Sequence, residues 1–404
     1  MGKKMKNILI YGIIIVFCGI ALAGYLMQNK PTDAKVAEKP QTKQTAQTAA
    51  STTEATTTES TPAESTTTAD AKPAETAVPE AEAIEHNAVM LADGNNVTGR
   101  SEKENQAHIA KIMKKAVAKP EENPVIGIGQ GADYAEVTAK AIENAGGMRD
   151  LIKEGDVVLI KPNICTVNKD AGMPQITDYR VVQKVIDMAL EYGASRVIVA
   201  EGSFYGNVFE YEKNRYVSLK GAELFNFNDC EKKDCYELKP ENSQVGKAIF
   251  VPKIYMDADV VINVAKLKTH FLTTVSLSVK NCVGIPSAKI YGNGGWKNGV
   301  HDMGLRNAIM DLNMIRKPDL AIIDGIVGGE GEGPEFNTPV KSEIIFAGRD
   351  LAALDTVAAY FMGIKVQYLM EIKGIVNLGL GINDMQKIKV VGEDLESIKM
   401  KFKL

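Results

Sequence analysis

Beyond residue 120 the chain alternates between short unbroken apolar runs and longer stretches whose apolar residues recur at helical spacing. NPVIGIGQ (123–130) predicts a short buried strand. DYAEVTAKAIENAGG (133–147) carries helical spacing and a glycine stop. The pair then repeats. DVVLIKPNI (156–164) predicts a strand, DYRVVQKVIDMALEYGA (178–194) an amphipathic helix between Asp178 and Gly193, and RVIVAEGS (196–203) a further strand. ADVVINVAKLKTH (258–270) and DLAIIDGIVGGEGEGP (319–334) share one form, an apolar strand with a polar exit. EIIFAGRDLAALDTVAAYFMG (343–363) reads as strand, turn and helix, and 382–404 as a small closing strand with a helix-like segment. Strands apolar on both faces, alternating with amphipathic helices, predict an α/β fold: a mostly parallel sheet with helices on both faces.

Upstream the pattern differs. Residues 7–27, NILIYGIIIVFCGIALAGYLM, form an uncharged apolar run, long enough to cross a bilayer as a helix. Lys3, Lys4 and Lys6 precede it, which keeps the amino terminus inside and sends the rest across. Residues 1–30 therefore read as a transmembrane anchor, or alternatively as a signal segment that is cleaved to release a secreted protein. Residues 31–85 are rich in Thr, Ala, Ser, Glu and Pro with almost no large apolar side chains. Such a segment buries too little surface to offset its ordering entropy, so it predicts a disordered stalk. Residues 86–120 read as a lead-in and 121–404 as the α/β domain, held in the cell membrane by a single pass and placed outside the cytoplasm.

Composition narrows the function classes. The chain is 45% hydrophobic and 24% charged with a net charge of −4, which excludes a wholly disordered or polytopic membrane protein and gives no basic footprint for nucleic acid. The five cysteines show no C-x-x-C spacing, so no iron–sulfur cluster is expected. Cys230 and Cys235 could close a short disulfide or remain free surface thiols.

Candidate chemistry gathers where the strands end. In open α/β sheets ligands bind beyond the carboxyl ends of strands. Lys161 and Asn163, Glu201 and Ser203, Lys266 to His270, and Asp324 to Glu330 all fall there. Lysines beside glycine-rich backbone suit a phosphate or carboxylate. His270 and His301, two of the four histidines, can ligate a metal or shuttle a proton, and Asp302 could orient His301. Topology predicts that Lys161, Asn163, His270, Lys280 and His301 face one pocket, with Lys266, Lys268, Asn281, Asp324 and Glu330 as further binding residues. Asp355 reads as a helix cap or buttress. The residues leave the cofactor open, with a divalent metal between the imidazoles as one candidate. P-loop, G-x-G-x-x-G and G-x-S-x-G motifs are all lacking.

Six ordered blocks over residues 123–381 resemble the domain-of-unknown-function 362 family: VLIKPNI, VINVAKLKTH, LSVKNCVGIP, GVHD, DLAIIDGIVGGEGEGP and DLAALDTVAAYFMG. That resemblance implies the fold and a site at the strand ends. The order His270, Lys280, Ile285-Pro286, His301 is also similar to the nickel-dependent lactate racemase family, although Leu277-Ser278-Val279 stands where that family has Gly-Gly before its lysine. This second likeness implies that His270, Lys280 and His301 are catalytic, that they hold a nickel-bearing nucleotide, and that they move a proton. The expected function is an enzyme of racemase, isomerase or redox type whose Lys/His cleft takes an anionic substrate or metal-bearing cofactor. The alternative is a non-catalytic receptor for a small anion, presented on a stalk.

Overall fold

The computed structural model describes residues 88–91, 96–204, 206–292 and 297–404. The anchor at 1–30 and the stalk at 31–85 lie outside the described residues, as do residues 293–296 ahead of His301. Among the described residues, no helix is long and apolar enough to cross a membrane. They all fall within one compact unit, Glu80–Leu404.

Twelve strands are described: β1 (Val89–Met90), β2 (Val125–Gln130), β3 (Val157–Pro162), β4 (Arg196–Glu201), β5 (Glu223–Asn226), β6 (Cys235–Leu238), β7 (Ile249–Pro252), β8 (Val260–His270), β9 (Thr274–Val275), β10 (Leu320–Glu330), β11 (Thr338–Gly348) and β12 (Lys389–Val391). The main sheet runs β1-β5-β4-β3-β8-β10-β11-β2-β12, with β9 paired to β8, and β6 and β7 form a separate hairpin. Neighbours from β1 to β10 are parallel, as are β2 and β12. β11 runs antiparallel to both β10 and β2. The sheet is thus mixed but mostly parallel.

The six longer helices are α1 (Glu102–Ala116), α2 (Tyr134–Asn144), α3 (Tyr179–Glu191), α4 (Leu305–Ile315), α5 (Leu351–Phe361) and α6 (Met370–Asn377). Alternate residues of a strand point to opposite faces, and both sets are buried here. Val158 and Ile160 of β3 join Val137 and Ala141 of α2 and Val182 and Val185 of α3 in one core. Val157 and Leu159 join Ile109, Ile309, Leu354 and Ile372, from α1, α4, α5 and α6, in the other. The helix starts are fixed locally. Asp133 accepts from Glu136 N, Asp178 from Arg180 N, and Asp350 from Ala353 N. Inside the expected lead-in, Ser101 and Glu104 form a capping box that opens α1.

Three expectations need correction. Lys266 to His270 are not an exit loop: β8 continues through His270 and is buried along its whole length. Period two puts Lys266 and Lys268 on one face, where each finds an oxygen acceptor. Asp324 to Glu330 likewise stay in β10, because β11 pairs with them as far as Glu330↔Thr338. Finally, Cys230 and Cys235 are free but buried, so they are not surface thiols. A hydrogen bond with Cys235, together with burial, pushes the Cys230 thiol up.

Candidate functional site

The turn Lys280–Gly284 packs against the ends of β3 and β4, where Gly284 lies close to Lys161 and Glu201. Asn163 and Cys165 after β3, Glu201 and Ser203 at β4, Lys280 and Asn281 on the turn, and Lys297 and His301 beside the short helix Asn298–Asp302 line a cavity of about 50 Å³. Asn281 ties the parts together: its Oδ1 accepts from Asn163 Nδ2 at 2.9 Å and its Nδ2 donates to Asn263 Oδ1 at 2.7 Å. Buried Asp355, on α5, accepts from the backbone N–H groups of Ser278 and Val279 at 2.8 and 2.9 Å. It buttresses the turn that presents Lys280 and does not face the cavity. Burial pushes its carboxyl up to about 7.

Charge in this cleft is unbalanced. Lys161 pairs with Glu201 at 2.8 Å, and both side chains are buried. Lys297 is buried, and its ammonium donates to the carbonyls of Gly202 and Gly284 at 2.6 and 2.9 Å. Lys268 donates to Gln175 O at 2.6 Å. Half-buried Lys280 has no hydrogen-bond or ion-pair partner among the described residues. Burial lowers all three: Lys268 in direction, Lys280 to about 8 with help from the charge of Lys268, and Lys297 to about 7. Asn163 Oδ1 is also buried without a partner, leaving an open acceptor in the cavity wall.

A wider chamber of about 590 Å³ adjoins the first and shares Phe204, His301 and Pro334 with it. His270, Phe271, Leu272, Glu332, Glu335 and Phe336 line it, together with Asn298 and Gly333. His301 stacks on Phe204 with centroids 5.6 Å apart, and His270 on Phe271 at 5.2 Å. Their ring nitrogens face opposite kinds of neighbour. Leu272 N donates to His270 Nδ1 at 3.1 Å, so the ring proton lies on Nε2. His301 Nδ1 lies 3.4 Å from Lys297 O, which can only accept, so that proton lies on Nδ1 and Nε2 is bare. Burial and the charges of Lys280, Lys268 and His301 push His270 down to about 2, and burial also lowers His301. Both rings are neutral near pH 7.

The other residues singled out from the sequence lie elsewhere. Lys161 is held behind Glu201. Lys266 pairs with Asp324 at 2.7 Å, both fully buried. Glu330 faces the carboxyl-terminal segment, accepting from Lys403 N at 2.9 Å. Sequence reading missed Lys297 and Phe204. Trp296 and the glycines at 294–295 ahead of Lys297, and the aromatic character of Phe204, are the only local signals, and neither is specific.

A metal held jointly by His270 and His301 does not fit this donor set. A metal on His270 Nε2 would require the proton on Nδ1, which already receives the Leu272 N–H. Among the described residues no group of three or more His, Cys, Asp or Glu is placed to hold a metal.

Gly284 is fixed by close approach. A Cβ there would collide with Glu201 Oε1 and stand 2.8 Å from Lys161 Nζ. Gly284→Ala is therefore expected to force the buried pair apart and to destabilise by about 1–3 kcal/mol. Urea unfolding checks this, and an unchanged midpoint would show that the turn gives way without cost.

The chain is 31% identical over 219 residues to a thylakoid-associated protein of Synechocystis sp., covering 54% of this chain and 66% of that one. The chain thus spans about two thirds of that relative's length. Among solved structures it is similar to the lactate racemase apoprotein of Thermoanaerobacterium thermosaccharolyticum, with 13% identity, a TM-score of 0.37, and coverage of 61% and 58% of the two chains. It is also similar to a structural-genomics protein of Thermotoga maritima, with 16% identity, a TM-score of 0.30, and coverage of 52% and 54%. The family described as Domain of unknown function (DUF362) matches residues 158–360, half of the chain, and the protein belongs to it.

Proposed function

We propose that this protein is an acid–base enzyme for a small anionic molecule, with the anion held by Lys280 and Lys297 and the proton moved by His301. The carrying observation is the excess of positive charge. Lys268, Lys280 and Lys297 crowd the cleft with no carboxylate of their own, while Glu201 is engaged by Lys161. Cations withdrawn from water without a counter-charge are costly, and a bound anion removes that cost. The bare Nε2 of His301 can accept a proton, and the Nε2–H of neutral His270 can donate a hydrogen bond to a developing negative charge. We further propose that residues 1–30 tether the domain to a membrane. The apolar run 7–27 and the thylakoid association of the Synechocystis relative support this.

Proton NMR in D2O tests the catalytic part, with a panel of 2-hydroxy, 2-oxo and 2-amino acids mixed with the full chain. Expected is exchange of the hydrogen next to the carboxylate in at least one compound, lost in His301→Ala. Anion binding without any exchange would leave the non-catalytic receptor in its place.

Anion affinity should also depend on pH. Lys280 is protonated below about 8 and loses its charge above it. Lys297 loses its charge above about 7, so acetate affinity is expected to fall as pH rises through about 7 and then about 8, by up to about tenfold per unit for each group. Calorimetric titrations across that range check the direction. An affinity that rises with pH would exclude Lys280 as the anion's partner.

A further inference from the structure

The two adjoining chambers differ in size, wall chemistry and charge. The inner one, about 50 Å³, is walled by Lys280, Lys297, Asn163 and Asn281. It has room for a single carboxylate or phosphate group and not for a whole metabolite. The outer one, about 590 Å³, falls in the size range of sites for drug-sized molecules. Its wall includes Phe271, Leu272 and Phe336, which are 69%, 50% and 78% exposed. Apart from the stack of Phe271 on His270, these large apolar side chains stand open around one mouth among the described residues, and such patches mark binding surfaces.

Charge then restricts what the outer chamber accepts. Its acidic side chains are Glu332 and Glu335, and among the described residues no lysine or arginine lines it. A polyphosphate or second carboxylate there would meet like charge, whereas the cations lie in the inner chamber. His301 and Phe204 belong to both walls, so a ligand that fills both passes directly beside the imidazole.

We infer that the ligand is an aromatic monoacid, with one carboxylate or phosphate in the inner chamber and an uncharged flat ring system against Phe204, Phe271 and Phe336. This rests on the anion-binding reading above and adds the substrate class. Stacked rings at Phe204–His301 and His270–Phe271 already present flat faces, and offset or edge contact with a further ring adds to the area buried. The hydrogen at stake in catalysis would lie on the carbon joining head to ring, which is where the two chambers meet.

Calorimetric competition on the full chain tests the inference with four probes: acetate, 2-naphthoate, octanoate and 2-naphthylmethanol. Expected is naphthoate binding at least about tenfold tighter than acetate or octanoate, with the neutral alcohol weak. Phe271→Ala with Phe336→Ala should reduce naphthoate affinity about tenfold and leave acetate unchanged. Both side chains are exposed, so these substitutions carry little risk to folding. Naphthoate binding no tighter than acetate would overturn the inference while leaving the anion site intact. Octanoate matching naphthoate would overturn the aromatic specification. Failure of every acid to bind would instead remove the anion-binding reading beneath it.

Discussion

Asp324→Asn is expected to destabilise the protein by about 3–5 kcal/mol, the usual effect of removing one partner from a buried ion pair. Asp324 and Lys266 are direct neighbours across the β10–β8 ladder, and their side chains meet at 2.7 Å with essentially no exposure. Asp324 also accepts from Asp178 N at 2.8 Å, which ties the start of α3 to the sheet. Asparagine keeps an acceptor for that N–H but removes the charge, so Lys266 is left as an isolated cation in the sheet. The companion variant separates the terms. Lys266→Met together with Asp324→Asn removes both charges at similar volume, and about half or more of the loss should return. Denaturant unfolding of both variants measures this. A single substitution with a loss below about 1 kcal/mol would mean that water reaches the pair and that it contributes no more than a surface pair.

That pair also shows where reading the sequence stops. The strands and helices from residue 123 to 363 are legible because their apolar spacing has a clear period and their caps are local, as with Asp133, Asp178 and Asp350. Where a strand ends is less legible. KLKTH has the composition of an exit, yet β8 carries it as strand because the partner that neutralises Lys266 lies 58 residues further on. No local window contains Asp324 and its register together. The same holds for GGEGE, which β11 keeps in a ladder. Topology alone places Lys161, Asn163, His270, Lys280 and His301 at one edge; Asn163, Lys280 and His301 line the inner chamber, His270 lines only the outer one, and Lys161 lines neither. The engagement of Lys161 by Glu201 could not be read this way, since it depends on Gly284 letting the turn approach. Lys297 is the least legible, because its environment consists of two backbone carbonyls from distant segments.

Lys280→Met should act in the opposite sense on stability and remove anion binding. Lys266 is neutralised within the fold, so losing its partner destabilises. Lys280 has no partner among the described residues, so its charge opposes folding, and methionine keeps most of its volume without the charge. The variant is expected to melt at the same or a higher temperature than the wild type, a known pattern for residues retained for function. Acetate and phosphate affinity should fall by about tenfold or more, as for loss of a charge-assisted contact. Linkage supplies a second readout. The folded pKa of Lys280, about 8, lies below the ordinary lysine value of about 10.4, so between them the unfolded chain binds more protons. Wild-type stability therefore gains from this group as pH rises from about 8, and Lys280→Met should lose that part of the slope. Added phosphate should raise the wild-type melting temperature, because it binds only the folded state, and should leave the variant's unchanged. Thermal melts with and without phosphate at two pH values give both answers. A variant that is clearly less stable and still shifted by phosphate would make Lys280 a structural lysine and move the anion site to Lys297.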